Sequence, residues 1–179
     1  MVPRGAHRAR RILAHGVRLA CVLLLAAPAS TETIDRVLAV VAGQLITLSD
    51  VTAARDLGLE DARGAADPIR VVLTRLVDRQ LMLAEVDRYA PPEPSTDSVD
   101  RELASVRARF PDEQGLNDVL VRSGLDVTHL RERLREDLRI RAYLDQRFGS
   151  DERRPALVDD WLAGLRRRGN VTDLYVPTP

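Results

Sequence analysis

The chain is 179 residues long, with 27 basic and 27 acidic side chains, a formal net charge of zero and a single cysteine, Cys21. One cysteine excludes an internal disulfide framework and a cysteine-built metal site. A chain without net positive charge is a poor partner for nucleic acid, whose binding depends on neutralising phosphates. Aromatic residues make up only 3% of the chain, so the core must be built mainly of Leu, Val and Ala, which suits packed helices better than a β-sandwich.

Residues 1–29 read as a secretory signal peptide. Arg4, Arg8, Arg10, Arg11 and Arg18 form a basic start without acids, Leu19 to Ala27 form a short apolar run, and Ala27-Pro28-Ala29 supplies the small-residue cleavage pattern. The run is well short of the roughly 20 apolar residues of a membrane span. Cleavage near Ala29 removes Cys21 and five of the 27 basic residues. That leaves 22 basic against 27 acidic side chains, a net of −5, in a thiol-free chain of residues 30–179. Periplasmic localisation is the expectation, and residues 30–179 have the size of one domain.

From Asp35 to Thr47 the pattern predicts a hairpin: an apolar run Val37–Val41, the turn Ala42-Gly43, and a short run at Leu45 and Ile46. Gly43 can adopt positive φ where Ala42 does so less readily, which favours a type I turn with a bulge at Gly43 over type I′. Thr47-Leu48-Ser49-Asp50 has the spacing of a capping box and starts a helix that ends near Gly58. After a small-residue loop, Asp67-Pro68 opens a helix with apolar residues around most of its circumference, from Ile69 to Val86. Such a helix belongs at the centre of the fold. Pro91-Pro92-Glu93-Pro94 stops it and makes a stiff connector.

Ser95 begins a helix on which Val99, Leu103, Val106 and Phe110 share one face. Pro111-Asp112 opens a shorter helix carrying Leu116, Val119 and Leu120, and Ser123-Gly124 ends it. Asp126 caps a long helix to Phe148, whose charged run Arg131 to Asp137 reads as a solvated face with i,i+4 pairs. Pro155 opens a last helix with Leu157, Val158, Trp161, Leu162 and Leu165, ended by Gly169-Asn170 in the usual stop position. Residues 171–176 read as a short strand that cannot stand alone, so the simplest partner is the N-terminal hairpin. The expected fold is therefore mainly α: about six helices, with a small antiparallel sheet formed by an N-terminal hairpin and a C-terminal strand.

Few side chains offer catalytic chemistry. His129 is the sole histidine of residues 30–179 and reads as an ordinary surface residue, since one histidine makes neither a metal site nor a triad without partners. Asp159 and Asp160 are adjacent and point to different sides of a helix. No glycine-rich phosphate loop is present. Trp161 has the helical spacing of a core residue relative to Leu157 and Leu165. Carboxylate-only chemistry is the enzymatic option these residues leave open. No catalytic residue, metal or cofactor is expected.

The stretch VLAVVAGQLITLSD resembles the opening of the SurA-type periplasmic chaperones and parvulin-like foldases. Those proteins begin with a Val-rich strand, an Asn-Gly-type turn, a short apolar strand and a Ser-Asp helix start. Leu76-Val77-Asp78-Arg79-Gln80-Leu81-Met82 is similar to the family's second helix, and Arg101 to Phe110 and Gly124 to Phe148 to its later helices. DDWLAGLRRRGNVTDLYV is similar to the C-terminal helix and strand that return to complete the N-terminal domain. The likeness covers essentially all of residues 30–179, with Ala42-Gly43 departing from Asn-Gly. It departs further between Phe148 and Pro155, where members with prolyl isomerase activity carry a parvulin domain of about a hundred residues. The resemblance thus implies a SurA N-terminal-like chaperone domain over 30–179 without that catalytic domain.

What the resemblance implies is ATP-independent binding of unfolded or extended segments of exported and outer-membrane proteins. Val99, Leu103, Phe110, Leu116 and Leu120 are candidate walls of a peptide-binding groove, and plain core packing is the competing reading of the same five residues. Two alternatives are a non-catalytic interaction subunit for one specific envelope partner, and a peptidyl-prolyl isomerase by family association alone.

Overall fold

The computed structural model describes residues 35–150 and 152–177, so the expected leader with Cys21 and the cleavage pattern lies outside the described residues. Strands β1 (Val37–Val41) and β2 (Gln44–Thr47) form the expected antiparallel hairpin. Its turn corrects the sequence reading: Ala42 and Gly43 both have positive φ, 50° and 87°. That is the signature of type I′, whose twist matches that of the strands. What holds Ala42 in this disfavoured region is remote in sequence. Its N–H donates to the Asn170 carbonyl at 2.9 Å. The irregularity expected at Gly43 falls instead within the ladder, between Val37 and Ala39.

Strand β3 (Val171–Asp173) pairs antiparallel with the other side of β1, giving the order β2-β1-β3. The two distant segments join, as expected of a short strand that cannot stand alone. The ladder stops earlier than residue 176 because Asp173 turns the chain, its carboxylate accepting the Tyr175 N–H at 2.9 Å. The Tyr175 hydroxyl then donates to the Asp67 carboxylate at 3.0 Å, and its ring lies 4.5 Å from the Arg70 guanidinium.

Among the described residues there are six helices: α1 (Leu48–Asp56), α2 (Pro68–Tyr89), α3 (Thr96–Arg107), α4 (Glu113–Arg122), α5 (Val127–Phe148) and α6 (Arg154–Arg168). The caps are those the sequence supplies. Thr47 and Asp50 form a complete capping box on α1. The side chains of Asp67, Ser95, Asp112 and Asp126 each accept an N–H in the first turn of α2, α3, α4 and α5. Each such cap contributes about 1 kcal/mol. At the far end of α2, Ala90 takes φ 41° and stops the helix before Pro91.

Three apolar clusters build the interior. The first lies beneath the sheet and joins Leu38, Val41, Val51, Val72, Leu76 and Leu165. The second is formed by Leu57 with residues of α3, α4 and the first half of α5. The third joins Leu83 and Val86 of α2 to Ile140 and Tyr143 of α5. Helix α2 therefore touches neighbours on several sides, as its all-round apolar pattern predicts. Ion pairs reinforce its contacts: Asp78 receives Arg166 of α6 in a two-point contact, with Nε to Oδ1 at 2.6 Å.

Candidate functional site

Between the sheet and α5 the surface opens into a cleft of about 240 Å³. Leu45 and Ile46 of β2 form one wall, Ala53 and Ala54 of α1 the floor, and His129 and Leu130 of α5 the opposite wall. The small side chains of α1 are what leave the space. Ala53 and Ala54 are buried, and larger residues there would fill it. Leu76, Arg79 and Gln80 close the cleft from α2.

A charged network backs the cleft. Arg79, only 8% exposed, donates from Nε to Asp137 at 2.6 Å and from Nη2 to Glu136 at 2.7 Å. Its Nη2 also reaches the Arg133 carbonyl at 3.3 Å. Arg133 lies 3.3 Å from both oxygens of Asp137, and 4.0 Å from Glu60, which is 3.7 Å from Arg75. Burial and the like charge of Arg79 lower the pKa of Arg133, against the pull of Asp137 and Glu60. Burial raises the pKa of Glu60 and outweighs the attraction of Arg133 and Arg75. The charged run of α5 is therefore not a wholly solvated face. Glu136 and Asp137 turn inward to meet Arg79, and the Arg133 side chain joins them through Asp137. The sequence did carry a signal for this: Asp78 and Arg79 are charged residues midway along the most apolar helix, where they require partners.

Next to Asp50, which lines the cleft, Ser49 donates its N–H to Asp35 at 3.3 Å and pairs with the same carboxylate through its hydroxyl. Burial acts against this carboxylate, but hydrogen bonds from Ser49 and Thr47 outweigh it and hold its pKa below the usual value. His129 is exposed, with Nδ1 2.9 Å from the Asp126 carboxylate. Among the described residues no group of three His, Cys, Asp or Glu side chains is disposed to hold a metal ion.

The structure brings together the five residues assigned to groove walls, but as interior. Val99, Leu103, Leu116 and Leu120 are at most 2% exposed, and Phe110 packs half-buried against them. They meet Leu130 and Leu134 of α5 in the second cluster; Leu116 and Leu120 also reach a separate surface pocket of about 320 Å³ beside Arg107 and Val127, while none of the five lines the cleft beside β2. Trp161 is half-buried, 5.9 Å from the Tyr143 ring and 5.7 Å from Phe148. Its helical spacing matched this packing role.

No family model matches the chain, and no curated protein is significantly similar to it. Among the described residues no helix is long and apolar enough to cross a membrane.

Proposed function

We propose that this chain binds unfolded or extended segments of exported polypeptides without nucleotide, as a periplasmic chaperone-like module of the SurA type. The observation that carries this reading is the cleft beside β2: it is open to solvent, Leu45, Ile46, Leu76 and Leu130 give it apolar lining beside His129 and Gln80, and the ion pairs at its back are already satisfied. Such a site favours an apolar side chain over a charged ligand. The element order supports the resemblance, since the hairpin, the central α2, and the α6–β3 return that completes the sheet are the arrangement it implies. The arginine-rich start and the Ala27-Pro28-Ala29 pattern support action outside the cytoplasmic membrane. The reading is one of binding, with no catalytic residue and no cofactor assigned.

Dilution of a urea-unfolded outer-membrane protein into buffer, followed by light scattering, tests it. Suppression of aggregation by a stoichiometric amount of the purified protein is the expected result, and unchanged scattering would remove the proposal. Recovery of one folded envelope protein in fixed stoichiometry, with no effect on unfolded clients, would point instead to a dedicated interaction subunit.

A further inference from the structure

We infer that the bound segment is held as a fourth strand on the open edge of β2, with an apolar side chain lowered into the cleft and a basic side chain beside Asp35 and Asp50. The inference rests on the polypeptide-binding reading above. It starts from the sheet order: β1 is flanked on both sides, so β2 presents a free edge. Val41 and Gln44 flank the two-residue turn and face each other, and Val40 faces Leu45. In a type I′ hairpin the residues next to the turn exchange hydrogen bonds and the following pair does not. The phase on β1 agrees. Ala42 N–H and the Leu38 carbonyl turn toward the β3 side, to Asn170 and Leu174. The Leu45 N–H and carbonyl therefore point away from β1, and their natural partner is another extended backbone.

The cleft lies where such a strand would pass. Successive residues of a strand point to opposite faces, yet Leu45 and Ile46 both line the cleft, which places it at the edge of β2 and not beneath one face. Leu45 is 59% exposed, an apolar side chain left on an unpaired edge. The edge is also short, because the Thr47 N–H is already taken by Asp50 at 2.8 Å. Few backbone bonds are on offer, which suits a contact that forms and releases without nucleotide.

Charge selects the occupant. Asp35 and Asp50 stand exposed where β2 passes into α1, and among the described residues neither forms an ion pair with a cation. The cations of the cleft, Arg79 and Arg133, are engaged with Glu136 and Asp137. An apolar segment carrying a lysine or arginine complements this rim, and an acidic one does not.

Binding of a fluorescein-labelled heptapeptide of alternating leucine and threonine with one arginine, read by anisotropy, tests the inference. Two N-methylated versions, at odd or at even residues, are compared. Strand addition predicts at least a tenfold weaker Kd for one phase and little change for the other. It also predicts severalfold weakening when the arginine is replaced by glutamate. Leu45→Pro, whose lost N–H faces away from β1, should weaken the parent peptide about tenfold with an unchanged circular dichroism spectrum. Equal affinity for both N-methyl phases, with Leu45→Pro unaffected, would overturn strand addition while leaving the polypeptide-binding reading intact. Absence of peptide binding, or a stable dimer by sedimentation that Leu45→Pro dissolves, would overturn it too. Loss of the light-scattering effect is the separate result that ends the broader reading.

Discussion

Asp78 and Arg79 are consecutive residues of α2, yet they bond to different helices: Asp78 to Arg166 of α6, and Arg79 to Glu136 and Asp137 of α5. Neighbours on a helix point in directions about 100° apart, so one charged dipeptide can fasten two flanking helices to a central one. The two contacts differ in burial. Arg79 is almost sealed, whereas Arg166 is half-exposed. Arg79→Met should cost about 3 kcal/mol, because it takes from Glu136 its cation and leaves Asp137 with Arg133 alone, near the already desolvated Glu60. Asp78→Asn should cost about 1–2 kcal/mol, since solvent screens the arginine it releases. Urea unfolding of both variants checks the order, and equal losses would contradict the difference in burial.

Two opposing trends govern the pH dependence. Asp173 has its pKa lowered: burial opposes the charge, but the Tyr175 N–H and Arg70 outweigh it, and Asp35 behaves in the same way. A lowered carboxyl stabilises the fold fully above its unfolded value of 3.8 and loses that contribution as pH falls toward its folded value. Glu60 is raised above 4.5, so the favourable balance it has below that pH is lost as pH rises through the folded value. Glu60→Gln should therefore raise Tm at pH 7 relative to Tm at pH 4.5, and Asp173→Asn should blunt the fall below pH 3.8. An unchanged profile in Glu60→Gln would show that its ion pairs fully offset its burial.

Gly169 is where α6 gives way to β3. Its φ of −72° is open to any residue, so the left-handed helix stop expected from the sequence is not the reason for glycine there. A Cβ would sit 2.5 Å from Leu81 Cδ2 and 2.9 Å from the Leu165 carbonyl oxygen. Leu81 can shift, but the backbone of α6 cannot do so freely. Gly169→Ala should destabilise by about 1–3 kcal/mol in chemical denaturation.

Ala42 offers the reverse case. A non-glycine residue in the left-handed region costs about 1–2 kcal/mol. Ala42→Gly keeps the hydrogen bond to Asn170 and relieves that strain. The expected net gain is about 0.5 kcal/mol after the extra chain entropy of glycine is subtracted. A loss of stability on thermal unfolding would mean that the turn is not of type I′ in solution.

The cleft can be closed without touching the interior. Gln80 is half-exposed at its edge, and a tryptophan there would project into the space. Gln80→Trp should abolish suppression of client aggregation while Tm stays within about 2 °C, the usual consequence of a surface substitution. Retained activity would show that clients bind elsewhere.

Much of the fold was legible because its signals are local. Thr47, Asp67, Ser95, Asp112 and Asp126 cap their helices through atoms three residues away, and β1 and β2 are joined by a two-residue turn. The pairing of β3 with β1 was legible by elimination, since a lone strand needs a partner. The site was not legible in the same way. Periodicity makes Val99, Leu103, Leu116 and Leu120 an apolar face, but a face that lines a groove and a face that fills a core have the same spacing. The cleft is assembled from β2, α1, α2 and α5, and its volume depends on the small size of Ala53 and Ala54, which no pattern marks. The turn conformation of Ala42 depends on Asn170, far away along the chain.

The sheet imposes a timetable on biogenesis. Its middle strand is among the earliest described segments to emerge from a ribosome or a translocation channel, and one of its neighbours is among the last. A two-stranded hairpin alone is marginal in water, so residues 37–47 wait nearly the whole length of the polypeptide for β3 to complete them. The sheet is therefore complete only once β3, which follows α6, has been made.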